Sequence, residues 1–196
     1  VNVPHDRAWN NKTSFNLNTQ YTWLQTHGAA LFHVSGLPSY TGTPVQVRLN
    51  STNHATAAPQ AGSYVHIEVI DNEWADDHLR DDANGNVYTK RRPDNDWAYF
   101  NGDVQEYIGD GWDKKSNNSE NDWSDLDNFL RVMTTTSAGP DYLSTISTVA
   151  NVDQFTRYFA LMVLMNSRET SLSSGSDDDY DMYRGVVDPR FILVPH

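Results

Sequence analysis

Hydrophobic and polar residues alternate along several segments of the chain, and this period of two predicts β-strands. A short segment of this kind covers residues 13–18, and longer ones cover 43–50 and 63–70. Two more, at 180–184 and 190–195, end the chain. Because alternation is typical of a strand with one buried face, we expect 43–50 and 63–70 to pair as antiparallel strands joined by a long loop.

Other segments repeat their apolar residues every three to four positions, which predicts helices. The segments 21–35 and 123–136 each carry one apolar stripe, and 71–80 and 141–149 predict shorter helices. Residues 153–166 are apolar almost all round, so we expect this helix to be buried in the centre of the domain. Together these elements predict an α+β fold: a small mixed or antiparallel sheet from the first half, a helical second half and a short hairpin that carries acids.

Composition indicates one acidic globular domain. The 196 residues are 38% hydrophobic and 12% aromatic, which is enough to build a single core. The formal net charge of −12 argues against binding to a nucleic-acid backbone and favours cations as partners. Because the chain has no cysteine, disulfides, a thiolate nucleophile and a zinc-thiolate site are excluded. The sequence also lacks the apolar run of about 18 residues that a membrane span needs.

Three consecutive aspartates, Asp177, Asp178 and Asp179, follow a Ser/Gly-rich loop near the end of the chain. Neighbouring carboxylates repel each other by roughly 1 kcal/mol or more per close pair, so a bound cation is one reason to keep them together. Carboxylate oxygens are ligands that Mg²⁺ and Ca²⁺ prefer. The triplet therefore predicts a hard-metal site, with a solvated loop end as the alternative. Glu169, which follows the predicted helix 153–166, is a candidate for the same site.

Two further groups of charged residues are candidates for a binding site. Glu68 lies in the predicted strand 63–70, where an acid is either solvated or paired with a lysine. Lys90, Arg91 and Arg92 form a compact basic run, which is either an exposed strand end or a clamp for a phosphate anion.

The segment 93–120 is rich in turns and in aromatic residues. Exposed aromatic rings stack on sugar faces, so a glycan-binding surface is one interpretation. We favour the other, in which these rings pack as a lid over the core. The run Asp81 to Asn86 lacks the spacing of a calcium loop and predicts a turn.

Several stretches, in this order and at this spacing, resemble the CotH family, the spore-coat protein H kinases, which have an atypical protein-kinase-like fold. The resemblance runs through most of the chain. It is carried by KTSFNLN at 12–18, ALFHVSGLP at 30–38, the strand that ends in Glu68, GNVY at 85–88, NDWSDL at 121–126, the helix from Phe155, DYDMYR at 179–184 and FILVPH at 191–196.

The resemblance implies ATP-dependent phosphorylation of Ser or Thr in an extracellular or coat protein, with Mg²⁺ or Ca²⁺ as the metal. By this resemblance Glu169 orients or deprotonates the acceptor hydroxyl, and one or two of Asp177, Asp178 and Asp179 hold the metal. Glu68 matches the strand acid that pairs with a phosphate-binding lysine. Lys90 is the candidate for that lysine, although the family's lysine directly follows the tyrosine, where this chain has Thr89.

The resemblance also predicts the organisation and surroundings of the chain. Residues 1–196 are expected to form a single CotH-like domain truncated at both ends, since the family's Asp-Leu-Asp would follow His196. The expected location is secreted or at a bacterial cell surface, with a protein substrate as partner. The second hypothesis is a structural or adhesive surface module that uses the same fold, in which acidic clusters bind Ca²⁺ and the partners are neighbouring surface-protein chains or glycans.

Overall fold

The computed structural model describes residues 1–9, 12–53, 63–91, 97–167 and 179–196. The strands are β1 (Phe15–Asn18), β2 (Gly42–Val45), β3 (Arg48–Leu49), β4 (Thr52–Asn53), β5 (Tyr64–Glu68), β6 (Asn86–Lys90), β7 (Trp112–Lys114), β8 (Tyr180–Arg184) and β9 (Phe191–Pro195). The α-helices are α1 (Thr22–Val34), α2 (Asn72–His78), α3 (Val104–Gly109), α4 (Ser124–Thr135), α5 (Tyr142–Ile146) and α6 (Val152–Leu164). Short 3-10 helices lie at His5–Arg7, Arg80–Asp82 and Asn118–Glu120. The predicted α+β class is confirmed.

The first sheet has the antiparallel order β1-β5-β2, with β5 in the middle. The predicted pairing of 43–50 with 63–70 is confirmed for β2, but it was wrong beyond Val45. There the chain turns back on itself: Asn50 and Ser51 have φ values of 50° and 67°, and they connect β3 to β4 as a two-residue hairpin. Two successive positive φ values are typical of the turns that close such hairpins, and alternation in the sequence does not reveal them.

The second sheet has the antiparallel order β7-β6-β8-β9. The predicted C-terminal hairpin exists, but it is not a separate unit, because β8 pairs with β6 along its whole length. The turn predicted at 81–86 supports this hairpin. The Asp82 carboxylate accepts hydrogen bonds from the backbone N–H groups of Val186, Val187 and Asp188, so it orders the loop between β8 and β9.

An aromatic core lies between the second sheet and the helices α4 and α6, which come between β7 and β8 in the chain. Phe129 of α4 packs against Phe191 of β9, with ring centroids 4.7 Å apart. Tyr107 and Trp112 are fully buried, and the Trp97 ring packs on Phe129. Within the described residues 97–120, these rings therefore form part of the core, as the lid interpretation predicted.

Helix α6 packs on β9 through only one face, so the prediction of a helix buried all round was wrong. Phe155 and Tyr158 are buried, but Val163 and Leu164 are 61% and 76% exposed. The contact to the sheet includes a buried polar residue: the Gln154 side chain donates to the Leu193 carbonyl at 2.7 Å and accepts from its N–H at 2.9 Å. Apolar residues therefore remain at the surface where α6 ends. None of the helices described is long and apolar enough to cross a membrane.

Candidate functional site

A cavity of about 650 Å³ lies between the two sheets. Asn16 and Glu68 line it from the first sheet, and Thr89 and Asp181 line it from the second. His196 directly follows β9 and also lines the cavity. The volume is in the range of small-molecule and cofactor sites, and the lining is rich in polar side chains. This cavity, which we call the intersheet cleft, is the first candidate for a binding site.

Two cationic side chains also line the intersheet cleft. Arg91 directly follows β6, and its backbone N–H donates to the Gly111 carbonyl at 2.9 Å. Lys115 directly follows β7 and forms an ion pair with Asp113. The chain as a whole is acidic, with a net charge of −12, so two cationic side chains at one cavity stand out from the rest of the protein. Because guanidinium and ammonium groups bind phosphate oxygens, the cleft suits an anionic ligand.

Glu68, the last residue of β5, is a predicted site residue that lines the intersheet cleft. Its carboxylate accepts a hydrogen bond from the Thr41 N–H at 2.7 Å, lies 2.8 Å from His78 Nε2 and lies 3.6 Å from Lys12 Nζ. Burial by itself would raise the pKa of Glu68, but the hydrogen bonds from His78 and Thr41 lower it to about 2. Glu68 is therefore a fixed anion at neutral pH, and it does pair with a lysine.

That lysine is Lys12, which was not among the predicted site residues. Its Nζ contacts Asp77 at 2.7 Å as well as Glu68, and it donates to the Glu73 carbonyl at 3.1 Å. Burial by itself would lower the pKa of Lys12, but the hydrogen bond and charge of Asp77 raise it. A signal was present in the sequence, because Lys12 opens the KTSFNLN segment that carries the family resemblance.

The predicted pairing of Glu68 with Lys90 is not found. Lys90 lies on β6, its side chain has no solvent exposure, and its Nζ binds the Asp110 carboxylate at 2.7 Å. The Trp112 ring covers the same ammonium group, with its centroid 5.6 Å away. Alternation along β6 points Lys90 into the protein, so here it is Arg91, the next residue, that reaches the intersheet cleft.

Asp181 and His196 form a second polar pair at the cleft. Asp181 is buried in β8; its carboxylate accepts a hydrogen bond from the Thr89 hydroxyl and lies 3.1 Å from His196 Nδ1. The hydrogen bond to Asp181 raises the pKa of His196. A carboxylate that holds one ring nitrogen fixes the orientation of the imidazole, so the His196 ring is positioned rather than free.

Of the four predicted acids near the end of the chain, only Asp179 can be placed, since Glu169, Asp177 and Asp178 lie outside the described residues. Asp179 directly precedes β8, has a φ of 59°, and its N–H donates to the Lys90 carbonyl at 3.0 Å. The described parts of the chain contain no group of three or more His, Asp or Glu side chains that could hold a metal by themselves. The metal role of the triplet stays a prediction.

A second cavity of about 660 Å³ adjoins the intersheet cleft. Asn18, Gln25, Tyr40 and His196 line both cavities. Asn166, Ser167 and Asp179 also line the second cavity. These residues stand on either side of the segment 168–178, which contains the predicted catalytic and metal-binding acids.

The lowered pKa of Glu68 predicts how the stability of the fold depends on pH. The folded-state pKa of about 2 is below the ordinary value of 4.5, so the charged form stabilises the fold above pH 4.5 and this contribution disappears as the pH falls towards 2. Because solvent screens part of the interaction, we expect Glu68→Gln to cost about 1–2 kcal/mol at pH 7 and almost nothing at pH 2. Denaturant unfolding at several pH values measures this difference. The exposed Glu120→Gln is the control, and an equal pH dependence in both variants would contradict the assignment.

Comparison with known proteins shows to which family the chain belongs. A comparison with curated protein sequences finds no significant match. The family model described as CotH kinase protein matches residues 6–196, nearly the whole length of the sequence. The match includes both sheets and every residue named above at the intersheet cleft. The resemblance seen in the sequence is therefore confirmed, and the chain belongs to the CotH kinase protein family.

Proposed function

We propose that the intersheet cleft binds ATP and that the protein transfers the γ-phosphate to a Ser or Thr hydroxyl of another protein. Membership of a kinase-like family implies ATP and a divalent metal in general. The observation that carries the assignment to this cleft is the pairing of Glu68, which lines it, with Lys12. In protein kinases a lysine that contacts the nucleotide phosphates is held by a glutamate in such an ion pair.

The charges around the cleft support this assignment. A triphosphate needs cations, because phosphoryl transfer relies mainly on positioning and on neutralising the charge of the phosphate oxygens. Arg91 and Lys115 line the cleft, and Lys12 contacts its wall at Glu68. The Glu68 carboxylate keeps the Lys12 ammonium in place, while Asp181 keeps the His196 ring in place on the other sheet.

The donor set fits a metal ion that arrives with the nucleotide. Mg²⁺ in nucleotide sites takes one or two carboxylates and completes its shell with phosphate oxygens and water, so a preformed cluster of three acids is not required. Asp179 is the candidate ligand within the described chain, and Asp177 and Asp178 are candidates beside it. Bound there, the metal would neutralise charge on the phosphates. The ion, Mg²⁺ or Ca²⁺, is part of the proposal.

We propose that Glu169 acts on the acceptor, where it would orient or deprotonate the Ser or Thr hydroxyl. The support is the position of the neighbouring chain: Asn166 and Ser167 line the cavity that adjoins the intersheet cleft. A secreted or cell-surface protein acceptor is proposed from family membership alone. A structural or adhesive module that binds Ca²⁺ is the competing outcome, in which the cleft would not bind nucleotide.

The test is the binding of ATP with Mg²⁺ to the intact protein. A ligand that binds only the folded state at 100 times its Kd stabilises the fold by about 2.7 kcal/mol, so we expect a clear rise in Tm. Lys12→Met should weaken ATP binding by about tenfold or more, because it removes the cation that pairs with Glu68 at the wall of the cleft. Calorimetric titration and thermal melts with and without Mg²⁺-ATP measure both effects.

Asp77→Asn is the matched control. It removes the shorter of the two ion pairs of Lys12 but leaves Glu68 and the residues that line the cleft unchanged. We expect ATP binding by this variant to stay within about threefold of the wild type, since an exposed ion pair contributes little. Coincident melts of the wild type with and without Mg²⁺-ATP would contradict the proposed function.

A further inference from the structure

The cavity beside the intersheet cleft is an apolar groove between α1 and the end of α6, which we call the α1–α6 groove. Its volume is about 660 Å³. Its apolar lining includes Tyr21, Leu24, Leu31, Phe32, Met162 and Met165. Three of these side chains remain open to solvent: Tyr21 is 50%, Leu24 47% and Leu31 42% exposed. Exposed apolar side chains gathered in one concave surface indicate a place where another molecule binds.

Gly28 lies in the middle of α1, and its lack of a side chain leaves space in the groove. The nearest atom to a Cβ added at this position is Met165 Sδ at 3.9 Å, which is an ordinary contact. Neither packing nor backbone conformation therefore requires glycine here, although glycine inside a helix is less stable than alanine. Since Gly28 lines the groove, its missing side chain deepens the groove by the room that a side chain would fill.

The charges at the groove distinguish it from the intersheet cleft. Of the described residues that line it, none is Lys or Arg, and the acidic and histidine side chains are His27, Asp179 and His196. A triphosphate would therefore find no strong cation there, whereas the cleft offers Arg91 and Lys115. The two cavities meet at Gln25 and His196, so a molecule in the groove would end beside the nucleotide.

We propose that the α1–α6 groove binds the acceptor protein, and that it takes an aliphatic or aromatic side chain close to the Ser or Thr that receives the phosphate. This inference rests on the proposed function. From Gln25 to Leu31 the helix rises about 9 Å, which an extended peptide covers in about three residues. The apolar side chain therefore lies about two to four positions from the hydroxyl residue.

The test uses short peptides that carry one Ser with Leu or Ala at these positions. Binding to the intact protein is measured without nucleotide by fluorescence anisotropy, and phosphorylation is measured with saturating Mg²⁺-ATP. We expect the Leu peptide to bind and to react about tenfold or more better than the Ala peptide, because the groove buries the larger side chain. Equal binding of the two peptides to the wild type would overturn the proposal.

Two variants separate the groove from other effects. Gly28→Phe fills the groove and should reduce the Leu preference to nearly one, while Gly28→Ala should keep most of it. Leu31→Gln removes lining and should weaken the Leu peptide only, whereas Val34→Gln, at an 88% exposed site outside the groove, should change nothing. ATP affinity should be the same in all four variants, and its loss in Gly28→Phe would overturn the proposal in favour of a nucleotide in the groove.

The two readouts also separate this inference from the proposed function. If the Leu peptide binds and Gly28→Phe abolishes this binding, but no phosphate is transferred, the groove proposal is supported and the kinase assignment is wrong. If phosphate is transferred equally to Leu and Ala peptides, the kinase assignment stands and the groove proposal fails.

Discussion

Glu169→Gln is expected to lower kcat for phosphorylation of a Ser or Thr acceptor by about 100-fold to 10,000-fold, while leaving the fold intact. The exchange removes the charge that would orient or deprotonate the hydroxyl, but it keeps the size of the side chain. The loss should therefore appear in kcat more than in the KM for ATP. Labelling of a Ser/Thr-rich acceptor by radioactive ATP, together with a melting curve, measures both quantities in the intact protein.

Glu120→Gln is the matched control, because it makes the same chemical change at an exposed site in the 3-10 helix Asn118–Glu120. Its kcat should equal that of the wild type. A Glu169→Gln variant that labels the acceptor as well as this control does would remove Glu169 from the catalytic site. A variant that no longer melts cooperatively would instead show that Glu169 supports the fold.

Asp110→Asn is expected to destabilise the protein by about 3–5 kcal/mol. Asp110 and Lys90 form an ion pair in which both side chains are almost fully buried. Neutralising the aspartate leaves the Lys90 ammonium without its counter-charge in the protein interior, where an unpaired charge is costly. Denaturant unfolding at neutral pH gives the free energy of unfolding of both proteins.

The control is Asp113→Asn, which breaks the exposed pair between Asp113 and Lys115. We expect this change to cost less than about 1 kcal/mol. Similar costs for the two variants would mean that the buried pair is not a structural element. Lys90→Met provides the opposite check: if it leaves stability unchanged but abolishes ATP binding, Lys90 is the phosphate-binding lysine after all.

The local elements of this fold are predictable from sequence, but their long-range pairing is not. Alternation correctly placed the strands β5, β8 and β9, because side chains in a strand point to opposite faces in turn. The pairing of β6 with β8, for instance Val87 opposite Tyr183, depends on which distant segments meet in space. Local periodicity contains no information about that choice, so the sequence predicted the C-terminal hairpin but not its pairing with β6.

The same limit explains what was missed at the site. Glu68 was identified from its place in a strand, and it does pair with a lysine, since an acid that is only 10% exposed needs a counter-charge. Lys90 was the candidate because it lies one position beyond the place after Tyr88 where the family has its lysine, whereas Lys12 reaches Glu68 through the tertiary fold. Asp181 and His196 were also missed as a pair, because the contact depends on the register of β8 against β9.

In helix α6, the apolar composition of the segment predicts more burial than the structure shows. The segment is apolar nearly all round, but only the face that carries Phe155 and Tyr158 meets the sheet. The other faces, near Val163 and Leu164, stay exposed at the end of the helix. Sequence alone could not distinguish a helix surrounded by core from one that leaves apolar residues at the surface, because both give the same pattern.

The central claim, that the nucleotide binds between the two sheets, is tested most directly by a crystal structure of the intact protein with Mg²⁺ and a non-hydrolysable ATP analogue. We predict the phosphates in the intersheet cleft, in contact with Arg91, and the metal ion beside Asp179. An analogue bound in the α1–α6 groove, or no analogue bound at millimolar concentration, would contradict the account.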